Sequence, residues 1–205
     1  MRTAPASTRY RLLRIARSDV LTLNVSGQGS VDVSPDPAAG GIDACDAGIS
    51  PCTAAYGDGD AINVAFTATP DTGWHVLWSD DCSVDALDPL RATLTLGADR
   101  TCTAAFAPNQ YIVSVSVTSA NGIVSIPLPL PLMVSHGDTA AFFISPYPGY
   151  HAVMPPGGSC APGTLTGTAY ATGAIVADCS VVVGFAQNAA ATIAVHAGAA
   201  QATPV

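Results

Sequence analysis

The sequence predicts an all-β protein made of two tandem, small, disulfide-stapled β modules with short antiparallel strands and hairpins. Apolar residues make up 49% of the 205 residues, but Gly, Pro, Ser or Thr interrupts them every few positions, which is typical of strands and turns. The chain contains no Glu and no Lys, on which exposed helix faces usually draw. A Pro-x-x-Gly-aromatic-His motif also occurs twice, which indicates a duplicated folding unit.

The duplication divides the chain into modules. Residues 69–75 are matched by residues 145–151, 76 positions later, and a pair of cysteines follows each copy. A period of that size fits modules that each bury a core. Residues 1–19 are predicted to be a disordered Arg-rich leader, and residues 20–108 and 109–187 the first and second modules. Residues 188–205 are predicted to be a linker and the first strand of a further domain.

In the first module, apolar and polar residues alternate as they do in half-buried strands. We expect Gly27-Gln28-Gly29 to join the first two strands as a β-hairpin, and residues 35–60 to form a loop pinned by Cys45 and Cys52. The predicted core residues of this module are Leu21, Leu23, Val25, Val31, Val33, Ile62, Val64, Phe66, Trp74, Val76, Trp78, Leu94, Leu96, Cys102, Ala104 and Phe106.

The second module repeats this order. Asn121-Gly122 is a strong hairpin signal, and residues 179–185 read as one closing strand. Residues 126–132 alternate Pro with Leu and indicate either an edge strand that cannot recruit another strand or a polyproline II ligand. The predicted core residues here are Tyr111, Val113, Val115, Val117, Val124, Ile126, Ala140, Phe142, Ile144, Tyr150, Ala152, Met154, Cys179, Val181, Val183 and Phe185.

Six cysteines predict disulfides rather than a zinc or redox site, because no Cys-x-x-Cys occurs. Six cysteines allow about fifteen pairings, and the repeat favours the set that stays within each module: Cys45 with Cys52, Cys82 with Cys102, and Cys160 with Cys179. Each of the two longer bridges closes a loop of about 20 residues and is expected to contribute roughly 3 kcal/mol. Persistent disulfides imply an oxidising compartment.

Charge excludes some partners. Five of the seven Arg precede residue 18, so the rest of the chain has two Arg against 15 Asp, a formal charge of −13 that disfavours nucleic acid. No run of about 18 apolar residues occurs, so we expect no membrane insertion. The Arg-rich leader lacks the apolar core of a signal peptide; it is either a basic targeting or interaction tail, or a disordered start to a fragment of a longer array.

The order of these residues resembles the divergent InlB B-repeat of bacterial secreted and surface proteins. The second module looks like a variant of that repeat with the Pro/Leu segment inserted, and residues 189–205 are similar to the start of a bacterial Ig-like domain. The resemblance implies β-rich modules with roles in adhesion or spacing and no catalytic residues. In the first module it is carried by residues 21–25, 27–31, 34–35, 41–43, Cys45, Cys52, Tyr56, Gly59, 67–70, Gly73-Trp74, Trp78-Ser79, Cys82 and 98–102, with Asp80-Asp81 where Gly is more usual. In the second it is carried by residues 136–139, 149–151, Cys160, 163–168 and 177–179.

A few polar and aromatic residues are candidates for sites. Trp74 and Trp78 either pack in the core or contact a ligand such as a sugar. His75 and His151 occupy matching positions and suggest a metal pair, although each falls in a different module, and a packed or surface histidine is the simpler interpretation.

The aspartates allow a calcium interpretation and a turn interpretation. No EF-hand spacing is present, so turn formation is favoured, and no catalytic motif is present either. The aspartates in question are Asp58, Asp60, Asp80, Asp81, Asp85 and Asp88.

The expected function is therefore a non-catalytic structural or adhesive repeat segment of an exported or cell-surface bacterial protein. No cofactor and no metal are expected, and the expected partner is an unidentified surface ligand, protein or glycan. The alternatives are a carbohydrate-binding appendage of a secreted hydrolase and a calcium-stiffened stalk.

Overall fold

A computed structural model describes residues 18–35, 41–57, 61–126 and 131–189, and every regular element in them is a β-strand. The all-β class with small disulfide-stabilised modules is thus confirmed. No helix in these ranges is long and apolar enough to cross a membrane. Several predictions lie outside the described residues: nearly all of the leader and of the further domain's first strand, Asp58 and Asp60, and positions 127–130 of the Pro/Leu segment.

The chain divides into two compact units between Asn109 and Gln110, here called unit 1 and unit 2. Unit 1 contains β1 (Asp19–Ser26), β2 (Gly29–Ser34), β3 (Cys45–Asp46), β4 (Cys52–Tyr56), β5 (Ile62–Pro70), β6 (Trp74–Asp80), β7 (Ser83–Val84), β8 (Arg91–Leu96) and β9 (Arg100–Pro108). Unit 2 contains β10 (Gln110–Val117), β11 (Gly122–Ser125), β12 (Leu132–Ser135), β13 (Ala141–Pro146), β14 (Tyr150–Ala152), β15 (Gly157–Gly158), β16 (Thr164–Thr166), β17 (Ala169–Ala171), β18 (Cys179–Val183) and β19 (Phe185–Gln187).

Unit 1 is a sandwich of two sheets with the strand orders β4-β1-β9-β6 and β3-β2-β5-β8-β7. Its first and last strands, β1 and β9, pair in parallel, and the remaining pairs are antiparallel. Inward residues of both sheets form one core, as the period-two pattern predicts. The buried members are Leu21, Leu23, Val25, Val31, Val33, Ile42, Cys45, Ala54, Tyr56, Val64, Phe66, Ala68, Val76, Ala92, Leu94, Leu96, Cys102, Ala104 and Phe106.

The predicted hairpin between β1 and β2 is wrong. These two strands lie in opposite sheets, and the chain crosses between the sheets at Gly27-Gln28-Gly29. Gly27 has a φ of 80°, and a Cβ there would overlap the backbone carbonyl of Phe106, so only glycine fits this crossing. Alternation shows which side of a strand is buried, but it does not show which strand pairs with it.

Unit 2 repeats the pairing pattern with shorter strands. One sheet has the order β12-β10-β18-β15, with β14 and β19 paired beside it, and the other has the order β11-β13-β17-β16. The first strand again pairs in parallel with the strand that begins at Cys179. The buried residues of its smaller core are Val113, Val134, Ala140, Phe142, Ile144, Tyr170, Ile175, Val181, Val183 and Phe185.

Four further expectations are corrected in detail. The Asn121-Gly122 hairpin is wrong, because β10 and β11 lie in different sheets. The predicted loop over residues 35–60 contains β3 and β4, because pairing with β2 and β1 satisfies their backbone groups. The closing strand is interrupted at Gly184, whose carbonyl accepts a bond from Val153 N–H. Met154 lies beyond β14 and is exposed.

Candidate functional site

The two tryptophans on β6 lie on its inward side and are partly buried against the core of unit 1. The indole N–H of Trp78 donates to the carbonyl of Pro89 at 3.0 Å, and its ring centre lies 6.0 Å from that of Phe66. The protein itself therefore occupies the indole donor and part of the Trp78 ring. Ligand contact by Trp74 and Trp78 stays a prediction, but neither forms an exposed stacking platform.

The two histidines of the repeated motif make the same contact in each unit. In unit 1, Nδ1–H of His75 donates to Oδ1 of Asn109 at 2.9 Å, and the backbone N–H of Asn109 donates to the carbonyl of Gly73 at 2.8 Å. We call this arrangement the His–Asn clasp. It holds the residue that follows the last strand against the strand that carries the motif.

In unit 2 the clasp joins His151 to Asn188 at 3.0 Å, and the N–H of Asn188 donates to Gly149 at 2.8 Å. Across the described residues, no three His, Cys, Asp or Glu side chains converge as metal ligands would. Sequence reasoning missed both asparagines. The available signal was their spacing, because each follows the closing phenylalanine of its copy by three positions.

Three of the described aspartates near the β6–β8 connection bind to the protein itself. Asp81 accepts from Arg100 and from the N–H of Thr101, both at 3.0 Å. Asp85 accepts from the N–H of Leu87, and Asp88 accepts from the N–H of Leu90 and pairs with Arg91. The bonds of Asp85 and Asp88 are the local ones by which aspartate stabilises turns, whereas Asp81 links the end of β6 to β9.

Three disulfides pair Cys45 with Cys52, Cys82 with Cys102 and Cys160 with Cys179, and no described cysteine is free. The first bridge joins β3 to β4 and so links the two sheets of unit 1. The second bridge ties β9 to the residues that follow β6, and the third ties β18 to the residues that follow β15. Disulfides of this number are typical of proteins outside the reducing cytosol.

The two longer bridges do not occupy equivalent positions, which corrects the expected match between them. Cys102 lies four residues before the closing phenylalanine, whereas Cys179 lies six residues before it. Pairing with the first strand shows the same two-residue difference. Leu21 and Val113 are corresponding residues of the first strands, and Leu21 lies opposite Arg100 whereas Val113 lies opposite Cys179. Arg100 is therefore the counterpart of Cys179, and its ion pair with Asp81 joins the segments that the disulfide joins in unit 2.

A cleft of about 420 Å³ lies at the sheet crossing in unit 1. It is shallow, and its carboxylates come from Asp46 and Asp71. Oδ1 of Asp46 already accepts from the N–H of Gly48 and of Ile49. Two carboxylates, one of them already bonded to the backbone, are thus the charged groups that this cleft offers.

Fold and contacts define a class of small, disulfide-stabilised, two-sheet β modules. The model of the divergent InlB B-repeat domain family matches residues 42–110, about a third of the chain. The match spans β3 to β9 of unit 1 and ends one residue beyond that unit, so the similarity lies in unit 1. No curated protein and no solved structure matches the chain.

Proposed function

We propose that this chain is a non-catalytic, structural repeat segment of an exported bacterial surface protein, in which units 1 and 2 are two copies of one module. The observation that carries the proposal is the repeated pairing pattern. In both units the first strand pairs in parallel with the last long strand, the second strand lies in the opposite sheet, and the His–Asn clasp holds the chain exit.

Parallel pairing of first and last strands suits a spacer. A strand that enters beside the exit strand and runs in the same direction starts at one end of the module, while the chain leaves at the other end. Only Asn109 separates β9 from β10. Each added module is therefore expected to add its own length to the array, with one residue between the last strand of one unit and the first strand of the next.

The shared contacts support duplication more strongly than shared composition does. In each unit an aspartate accepts from the first strand: Asp99 from the N–H of Val20 and Asp178 from the N–H of Ile112, both at 2.8 Å. In each unit a glycine that begins the second strand lies under the ring of the closing phenylalanine, Gly29 under Phe106 and Gly122 under Phe185.

Surface display tests the spacing role. The full chain, unit 1 alone and unit 2 alone are placed between a bacterial surface anchor and a fluorescent epitope, and the height of the epitope above the membrane is measured by fluorescence localisation. We expect the full chain to raise the epitope by about twice as much as either unit. A flexible Gly/Ser linker of equal residue number serves as the control and is expected to give a lower, broader distribution.

Two outcomes contradict the proposal. Equal heights for one unit and for two exclude spacing as the role. Failure of either isolated unit to give a dispersed NMR spectrum excludes an array of self-sufficient modules.

A further inference from the structure

The two units differ most on the outer face of the sheet that contains their second strand. In unit 1 this face carries a charged row, because Thr67 of β5 lies between Asp32 of β2 and Arg91 of β8. Thr67 lies three residues before the proline that ends its strand. The residue at that position in unit 2 is Phe143 of β13.

In unit 2 the corresponding row is uncharged. Phe143 lies between Ser125 of β11 and Ala169 of β17, and 55% of its surface is exposed. Ile123, diagonal to it on β11, is 52% exposed and replaces Ser30 of unit 1. We call this the Phe143 face; its outward residues are Ile123, Ser125, Ala141, Phe143, Ser145, Thr164, Thr166, Ala169 and Ala171, none of which is ionisable.

The edge of this sheet is also different. In unit 1, β3 pairs with the outer edge of β2, with Val31 opposite Cys45. Within residues 110–126 and 131–189, no strand pairs with the corresponding edge of β11. An unpaired edge exposes backbone donors and acceptors that a further strand can bind.

We propose that the Phe143 face is a self-association surface, and that the occupant is a second copy of this chain. Charge selects that occupant. Residues 18–109 carry two Arg and 13 Asp, a formal charge of −11, whereas residues 110–189 carry only two Asp. Two copies repel one another through the acidic surface of unit 1, but they can approach through a face of unit 2 that has no charge.

The same charge pattern argues against other occupants. A basic partner would bind unit 1, because the Phe143 face offers it no carboxylate. Two copies related by a twofold axis can place their Phe143 faces against each other, with Phe143 of each copy over the small alanines of the other. Such a surface complements itself.

Size predicts the strength of association. Four strands spaced about 4.8 Å apart and three to six residues long form a face of about 250 Å². Stable interfaces bury about 800 Å² per partner, so we expect a weak dimer with a Kd between about 0.1 and 1 mM. Many copies on one surface would strengthen it through effective concentration. The inference does not depend on the spacer role.

Sedimentation equilibrium of the full chain, under non-reducing conditions up to about 1 mM protein, tests the inference. We expect a concentration-dependent dimer whose Kd rises at least tenfold in the double variant Ile123→Ser, Phe143→Thr. These substitutions give unit 2 the residues of unit 1, and unchanged thermal unfolding verifies that the variant folds. Leu87→Ser, which removes a 96% exposed apolar side chain from unit 1, is the matched control and should leave the Kd unchanged.

Three outcomes overturn the inference. A chain that stays monomeric at about 1 mM excludes a second copy as the occupant and assigns the face to another partner. A double variant that dimerises like the parent places the contact elsewhere. A Kd that rises equally in Leu87→Ser identifies general apolar association rather than this face.

Discussion

Units 1 and 2 share their internal contacts and differ on their surfaces. The crossing glycine under the closing phenylalanine, the bond from an aspartate to the first strand and the His–Asn clasp occur in both. Formal charge, the number of disulfides and the outer face of the second sheet do not match. The pairing pattern therefore requires the internal contacts, while surface residues are free to adapt to a partner.

The two units have the same strand order but differ in the size of their cores. Among the described residues, the core of unit 1 has nineteen buried apolar residues and that of unit 2 has ten. Unit 1 also has the additional Cys45–Cys52 bridge. Unit 2 is expected to unfold first, because it reaches the same strand order with less buried surface.

Loss of the central phenylalanine is expected to have the largest effect. Phe66 and Phe142 each lie four residues before the proline that ends the strand, and they are 1% and 2% exposed. Replacement of either by Ala should cost about 3–5 kcal/mol of its own unit's free energy of unfolding. Urea unfolding followed by NMR should show that Phe142→Ala unfolds unit 2 and leaves the signals of unit 1 intact. Loss of both sets of signals together would contradict the division at Asn109.

Removal of the longer disulfides comes second. Cys82→Ala with Cys102→Ala, and Cys160→Ala with Cys179→Ala, open loops with sequence separations of 20 and 19, so each pair should cost roughly 3 kcal/mol. The loss should be larger in unit 1, because Cys102 is fully buried and its removal also leaves a cavity, whereas Cys179 is only half-buried. Urea midpoints measure both. A larger loss in unit 2 would show that strand contacts, rather than burial, determine the cost.

The crossing glycines are expected to give an intermediate effect. A methyl group at Gly29 or Gly122 would meet the ring of Phe106 or Phe185, and overpacking of this kind costs about 1–3 kcal/mol. Gly29→Ala should cost more than Gly122→Ala, because Gly29 also has a φ of 153°. Thermal unfolding provides the comparison. Gly97→Ala, which meets no atom within 4 Å, is the control and should change little.

The smallest expected effect is at the His–Asn clasp. His75→Ala or Asn109→Ala removes one exposed hydrogen bond and should cost about 0.5–1 kcal/mol. Double-mutant cycles should give similar coupling energies for His75 with Asn109 and for His151 with Asn188. A measurable coupling energy in only one unit would show that the His–Asn clasp stabilises that unit and not the other, although its geometry is the same in both.

The sequence predicted which side of each strand is buried, but it did not predict which strands pair with each other. Alternation placed Leu21, Val64 and Phe142 on inward faces, because a side chain's side of a strand depends only on the parity of its position. Strand pairing depends on contacts distant in sequence, so Gly27-Gln28-Gly29 and Asn121-Gly122 were assigned to hairpins although each connects two sheets.

The site residues divide in the same way. The pair of histidines was visible from the repeat, but their partners Asn109 and Asn188 lie more than 30 residues away in sequence, and no local pattern connects them. The cysteines seemed equivalent because each follows the same motif. The distances from Cys102 and Cys179 to the closing phenylalanine differ by two residues in the sequence, and the pairing of Val113 with Cys179 agrees with that difference. The Phe143 face was likewise hidden, because only the strand register shows that the uncharged Ser125 and Ala169 flank Phe143.

Parallel pairing of β1 with β9 also determines how a module responds to pulling. Tension applied at the two ends of unit 1 would slide these strands along each other, so the bonds between six aligned residue pairs, Leu21 to Ser26 against Arg100 to Ala105, would have to break together. Antiparallel neighbours pulled from adjacent ends would peel apart one bond at a time. Each unit thus contains a parallel strand pair that resists tension applied along the chain while the unit stays short.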